Sequence, residues 1–168
     1  PIENSLAGRV ADIHYLLPKY KLQIHGEHFQ TVEHNLLCKP EANIEDIKSV
    51  RSHAQAIGQC QNLINKRKFR QIISADTAGS AKDLAEGSDK SIAAIASDLS
   101  AKIYNLKILE KNIEDEKGNV TRFLIMGKNI EQPEYSSNKK FITSCIFRVK
   151  SEPSALYKCL GGFATNQV

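Results

Sequence analysis

Between residues 47 and 104 the chain repeats one pattern three times: a short apolar run, a polar residue able to cap a helix, then an amphipathic stretch. Ile47 to Val50 reads as a strand, and Ser52 opens a helix with a capping-box pair, Ser52 and Gln55. The apolar stripe of that helix is Ala56, Ile57, Cys60, Leu63 and Ile64, spaced to line one face. Gln71 to Ala75 is the next strand, followed by a helix from Thr77 to Glu86 that ends at Gly87. Ile92 to Ala96 reads as a buried strand, and Ser97 caps a helix from Asp98 to Tyr104. Strands alternating with short helices predict an α/β fold built on a parallel sheet.

The flanks are less regular. Leu6, Val10, Ile13 and Leu17 predict a helix from Ser5 to Leu17, stopped by Pro18. Lys21 to Leu37 alternates apolar and polar residues, which predicts a strand or hairpin with Gly26 near a bend. Lys128 to Lys140 is polar and turn-rich and reads as a linker. Beyond it, Phe141 to Val149 alternates as a strand and Pro153 to Phe163 reads as a helix with proline at its opening position. One strand and one helix cannot bury a core by themselves, so this last segment is expected to begin a second domain. The expected organisation is a domain over 1–128, a linker over 129–140 and a partial domain over 141–168.

Bulk properties narrow the function classes. The 168 residues carry 23 basic and 19 acidic side chains, a net charge of +4 that is mild and scattered. The densest basic run, Lys66-Arg67-Lys68-Phe69-Arg70, falls between a predicted helix and strand and lacks the interleaved aromatics of a nucleic-acid surface, so no nucleic-acid partner is expected. No apolar run nears the ~18 residues of a membrane span, and Pro1-Ile2-Glu3-Asn4 does not open a signal peptide. Cys38, Cys60, Cys145 and Cys159 form no C-x-x-C pair; Cys60 and Cys159 fall on apolar helix faces and read as buried, reduced thiols of a cytoplasmic protein. His25, His28 and His34 lie close in sequence, but no Cys or acidic partner has ligand spacing, so no metal site is expected.

Three predicted helix starts are polar: Asn4-Ser5, Ser52-His53 and Asp76-Thr77. In an open parallel sheet such starts gather beyond the carboxyl ends of the strands, where free N–H groups favour an anion. Ser52, Gln55 and Gln59 would share one helix face and offer neutral hydrogen bonds to an oxygen-rich ligand, although plain capping explains Ser52 and Asp76 equally. Asn119-Val120-Thr121-Arg122-Phe123 sets a hydroxyl, a guanidinium and an aromatic at the head of the apolar run Leu124-Ile125-Met126. Arg122 is a candidate carboxylate partner or the basic half of a surface ion pair with Glu114, Asp115 or Glu116. Glu3 is either a site carboxylate or a helix-dipole partner. No Ser/His/Asp order, P-loop or dinucleotide glycine pattern appears.

Taken together, Glu3-Asn4-Ser5, Ser52-His53-Ala54-Gln55 with Gln59-Cys60, Asp76-Thr77-Ala78-Gly79-Ser80-Ala81, Ala93-Ala94-Ile95-Ala96-Ser97 and Thr121-Arg122-Phe123 follow the order and spacing of prephenate dehydratases. From Pro1 to about Lys128 the chain resembles that family, with the family's glycine-rich opening strand and helix expected upstream. The resemblance implies a two-lobed fold like type II periplasmic binding proteins, here incomplete, with the active site between lobes. Residues 141–168 are similar to the first strand and helix of a regulatory ACT domain. There Glu152-Pro153-Ser154-Ala155-Leu156 matches an inhibitor-binding turn, with Ser154 where glycine is usual.

The implied reaction converts prephenate to phenylpyruvate, water and carbon dioxide. Thr121 is placed by resemblance at the leaving hydroxyl, with Glu3 as the candidate proton source. Asn4, Ser5, Ser52, Gln59, Thr77, Arg122 and Phe123 are placed around the substrate, and no cofactor is required. Phenylalanine is the implied allosteric inhibitor, through Ser154, Ala155 and Leu156, in a homodimer or homotetramer. Arogenate dehydratase and a non-catalytic small-anion binder of the same fold are the alternatives.

Overall fold

The computed structural model describes residues 1–129, 131 and 134–166. A mixed five-stranded sheet and an antiparallel four-stranded sheet organise the chain. The first contains β4 (Asn35–Cys38), β5 (Ser49–His53), β6 (Arg70–Ser74), β7 (Ile92–Ala96) and β8 (Lys107–Glu110), in the order β6-β5-β7-β4-β8. The second contains β1 (Glu3–Asn4), β2 (Gly8–Arg9), β3 (Gln23–Thr31) and β9 (Val120–Gly127), in the order β2-β1-β9-β3.

The repeated strand–helix pattern does build a parallel unit, since β5 pairs in parallel with both β6 and β7. The sheet as a whole is mixed, because β4 runs antiparallel to β7 and to β8. Helices cover both faces. α2 (Ala54–Gly58) and α3 (Gln61–Arg67) bring Ala56, Ile57, Cys60 and Ile64 against Leu36, Val50, Ala93 and Ile95. On the other face, α4 (Thr77–Glu86) and α5 (Asp98–Ile103) bring Ala81, Leu84 and Ala101 against Leu37, Ala94 and Ala96. A strand covered on both sides reads as a continuous apolar run rather than an alternating one, as Ile92 to Ala96 does.

Several expectations are corrected. Ser5 to Leu17 is not one helix: only Ala11–Leu16 (α1) is helical, and β1 and β2 form a tight hairpin before it. Asn4 is the cause, because its Oδ1 accepts from the backbone N–H groups of Leu6 (3.0 Å) and Ala7 (2.8 Å), a local closure that competes with helix. Lys21 to Leu37 divides between sheets as β3 and β4, with a register shift between Ile24 and Gly26. Ser52 lies inside β5, and His53 caps α2 instead, its Nδ1 accepting from Gln55 N. The long helix expected after Ser52 is two short ones, broken at Gln59 and Cys60. Phe141 to Val149 pairs with no strand among the described residues, whereas a helix does follow as α6 (Ala155–Thr165). Its N-cap, Ser154, has φ 63°, a conformation glycine adopts without strain.

The chain crosses between sheets twice, over residues 32–34 and 111–119, and the crossings are bonded to each other. Val32 N donates to Asn119 O (2.8 Å), Ile113 N to His34 O (2.9 Å), and His34 N to Glu114 Oε2 (3.0 Å). This double crossing brings side chains of the four-stranded sheet, the two crossings and the end of α2 into one network.

Candidate functional site

β9 is the spine of the site. Its register against β1 sets Thr121 opposite Asn4 and Arg122 opposite Glu3. Because successive strand residues point to opposite faces, Asn4 and Thr121 occupy one face, with Phe123 two residues on, while Glu3 and Arg122 occupy the other.

On the Thr121 face, hydrogen-bond directions follow from one anchor. Backbone N–H groups can only donate, so the Asn4 atom facing Leu6 N and Ala7 N is its oxygen. Its nitrogen therefore points into the network and donates to Thr121 Oγ1 (3.0 Å) and Asn119 Oδ1 (2.6 Å). The Asn119 amide is thereby oriented, and its nitrogen donates to Gln59 Oε1 (3.1 Å). That oxygen also meets His34 Nε2 at 2.8 Å, so His34 must carry its proton on Nε2. The Thr121 hydroxyl proton and the Gln59 amide N–H₂ meet no protein acceptor among the described residues. Both side chains are half-buried.

The break between α2 and α3 that carries Gln59 is held from the second crossing. Asp115 N donates to Gln59 O (2.7 Å), and the Asp115 carboxylate accepts from Gln61 N (2.7 Å) and Asn62 N (3.0 Å) at the start of α3. Cys60, adjacent to Gln59, is fully buried. Burial, with Asp115 and Glu114 nearby, pushes its thiol up to about 12, so it remains neutral. The expectation of a buried thiol holds for Cys60, whereas Cys159 is only partly covered.

The opposite face of β9 is an ion cluster. Arg122 donates from Nε to Glu27 Oε2 (2.7 Å) and from Nη1 to Glu3 Oε1 (3.1 Å), and its guanidinium lies 5.9 Å from the Phe29 ring centre. The hydrogen bonds it donates to Glu3 and then to Glu27 raise its pKa further. The ion-pair partners expected, Glu114, Asp115 and Glu116, are replaced by Glu3 and Glu27, which β1 and β3 bring alongside β9.

The remaining predicted residues are placed differently. Ser5 Oγ donates to Gly118 O (2.8 Å) and accepts from Val120 N (2.9 Å), fastening the hairpin to the second crossing. Ser52 is fully buried and spends its only proton on Ile95 O (2.7 Å), a cross-strand role rather than a ligand-facing one. Thr77 begins α4 behind its cap Asp76, whose Oδ1 accepts from Gly79 N (2.6 Å), and does not join the network. Ser154, Ala155 and Leu156 lie at the start of α6 and make no hydrogen bond to the Asn4–Thr121 network. Glu3, named as the proton source for Thr121, projects from the other face of the sheet, so the register separates the two. Asn119 and His34 are site residues that the sequence alone does not point to. Asn119 directly precedes the strand motif, but only the crossing geometry shows that it joins Asn4 to Gln59. Among the described residues, no three His, Cys, Asp or Glu side chains gather as a metal site.

A family model described as "PDT: Prephenate dehydratase" matches residues 1–131. The chain belongs to the prephenate dehydratase family. A bifunctional N-acyl-homoserine lactone acylase/prephenate dehydratase of Komagataeibacter europaeus is 43% identical over 97% of the chain, which spans 58% of that protein. An arogenate dehydratase/prephenate dehydratase of Arabidopsis thaliana is 41% identical over the whole chain, which spans 44% of it. The solved prephenate dehydratase of Arthrobacter aurescens, in complex with L-Phe, superposes with a TM-score of 0.81 at 26% identity, over 98% of this chain and 55% of that one. The mixed α/β fold of this family member is therefore shared with a solved prephenate dehydratase, and the chain spans about half the length of these relatives.

Proposed function

We propose that the whole protein carrying this chain converts prephenate to phenylpyruvate, and that Thr121 acts at the departing ring hydroxyl. The observation that carries this reading is the donor direction at Thr121: Asn4 donates to its oxygen, leaving the hydroxyl proton free for a ligand oxygen. In the reaction the ring carboxylate leaves as carbon dioxide, and its bonding pair enters the ring. The C–O bond at the opposite carbon breaks, and the departing oxygen takes up one proton to leave as water. Negative charge grows on that oxygen in the transition state, so a donor already aimed at it lowers the barrier without reorganisation. Gln59 supplies a second neutral donor and Phe123 an apolar surface on the same face. Arg122 and Glu3 brace β9 from behind.

The family match ending at residue 131 supports a catalytic unit over 1–128, part of a two-lobed domain like type II periplasmic binding proteins, with Thr77 on its margin. Residues 141–168 then begin an ACT-type regulatory domain. The relative solved with L-Phe supports phenylalanine as a ligand, and the turn of Ser154, Ala155 and Leu156 is its proposed seat. The whole protein would be a cytoplasmic homo-oligomer without a cofactor. Arogenate is the second substrate reading, favoured by the Arabidopsis relative whose name carries both activities. The test is product formation by the whole protein from prephenate and from arogenate, followed by chromatography. Phenylpyruvate from prephenate supports the primary reading; phenylalanine from arogenate with no turnover of prephenate replaces it.

A further inference from the structure

The network leaves His34 without a role in the proposed reaction, yet ties it to the Gln59 amide, whose partners among the described residues are side chains alone. Gln59 is half-buried at the C-terminal end of α2, and an amide can turn over by half a rotation with little change in shape. Which end faces outward decides whether the site presents a donor or an acceptor there. Two groups push its oxygen inward: Asn119 Nδ2 at 3.1 Å and His34 Nε2 at 2.8 Å.

Asn119 is oriented through Asn4 from the backbone of Leu6 and Ala7. His34 is held by its own backbone, where its N–H donates to Glu114 Oε2 and its carbonyl accepts from Ile113 N. The residue is 5% exposed, so its ring is enclosed by protein.

We propose that His34 is a positioning residue: through its Nε2–H it fixes the Gln59 amide with N–H₂ outward, making that point of the site select an oxygen acceptor. The ligand feature recognised is a carboxylate or carbonyl oxygen. That such an oxygen belongs to prephenate or its amino analogue rests on the function proposed above; the orientation of the amide does not.

Two measurements on the whole protein separate these layers. The imidazole ¹⁵N shifts of His34 at pH 8 report which nitrogen carries the proton. A proton on Nε2 is expected, and a neutral ring protonated only on Nδ1 overturns the proposal even if the variants fail to fold. Steady-state kinetics then compare His34→Leu with His34→Gln, whose amide N–H reaches a similar position. His34→Leu frees the Gln59 amide to turn and is expected to raise KM about tenfold, the scale of one well-made hydrogen bond. kcat should change far less, and His34→Gln should recover most of the loss. Equal impairment of both variants, or an unchanged KM in His34→Leu, overturns the proposal. Absence of turnover by the unsubstituted protein, with the proton found on Nε2, defeats the substrate reading and supports the amide orientation.

Discussion

Replacing Asn119 by alanine tests the network at its centre. Asn119 is 2% exposed and makes two side-chain hydrogen bonds, one to the four-stranded sheet and one to the end of α2: it accepts from Asn4 at 2.6 Å and donates to Gln59 at 3.1 Å. Each neutral bond contributes about 1 kcal/mol net. The partners are not left bare, because Asn4 keeps Thr121 and Gln59 keeps His34, so the penalty for stranded groups is small. The void left by the amide adds a comparable term, giving a loss of about 2–3 kcal/mol. For a chain of this size that lowers the melting midpoint by roughly 5–10 °C. Thermal and urea unfolding of the chain measure it directly, and the variant should also lower turnover of the whole protein, because Asn4 and Gln59 lose their common partner. A change below about 0.5 kcal/mol would mean that the four-stranded sheet and the end of α2 are not joined through this residue.

Other outcomes follow from the same geometry. Asp115→Ala removes two short hydrogen bonds at the start of α3 and should cost about 2 kcal/mol in urea unfolding, with a raised KM because Gln59 rides on the same break. Exposed Cys145 should react with a thiol reagent at pH 8 in the folded chain, whereas Cys60 should react only on unfolding. The sign for pH is set by the raised Cys60 value: its contribution is intact below about 9, where the thiol of the unfolded chain begins to ionise, and is lost as pH rises toward about 12. Cys60→Ala should therefore flatten the alkaline end of a stability–pH curve. Ser52→Ala should lower stability by about 1–2 kcal/mol while leaving KM unchanged, since the hydroxyl serves Ile95 and not a ligand.

The sequence made the strand–helix units legible where local signals and burial agree. Asp76 capping a helix from Thr77 to Glu86, and Ser97 capping the next, appear as read, because each cap's side-chain oxygen accepts from a backbone N–H three residues on, a purely local bond. It misled where a side chain serves a distant partner. Ser52 carries a capping signature, but the strand continues through it because β6 and β7 pair on either side of β5. β8, Lys107–Glu110, carries little sequence signal, since four residues with charged ends give little periodicity. The motif Thr121-Arg122-Phe123 was visible, but strand alternation divides it: one face holds Thr121 with Asn4, the other Arg122 with Glu3 and Glu27. Asn119 and His34 could be found only once both crossings were seen side by side, because their meaning lies in hydrogen bonds across 115 and 25 positions.

The most direct measurement is kcat for prephenate turnover in the whole protein with Thr121 intact, as Thr121→Ser and as Thr121→Val. Serine keeps a hydroxyl that Asn4 can orient, so its kcat should stay within about tenfold of the unsubstituted protein. Valine keeps the shape and loses the donor, which should lower kcat by roughly a hundredfold or more. A valine variant with an unaltered kcat would contradict the account at its root.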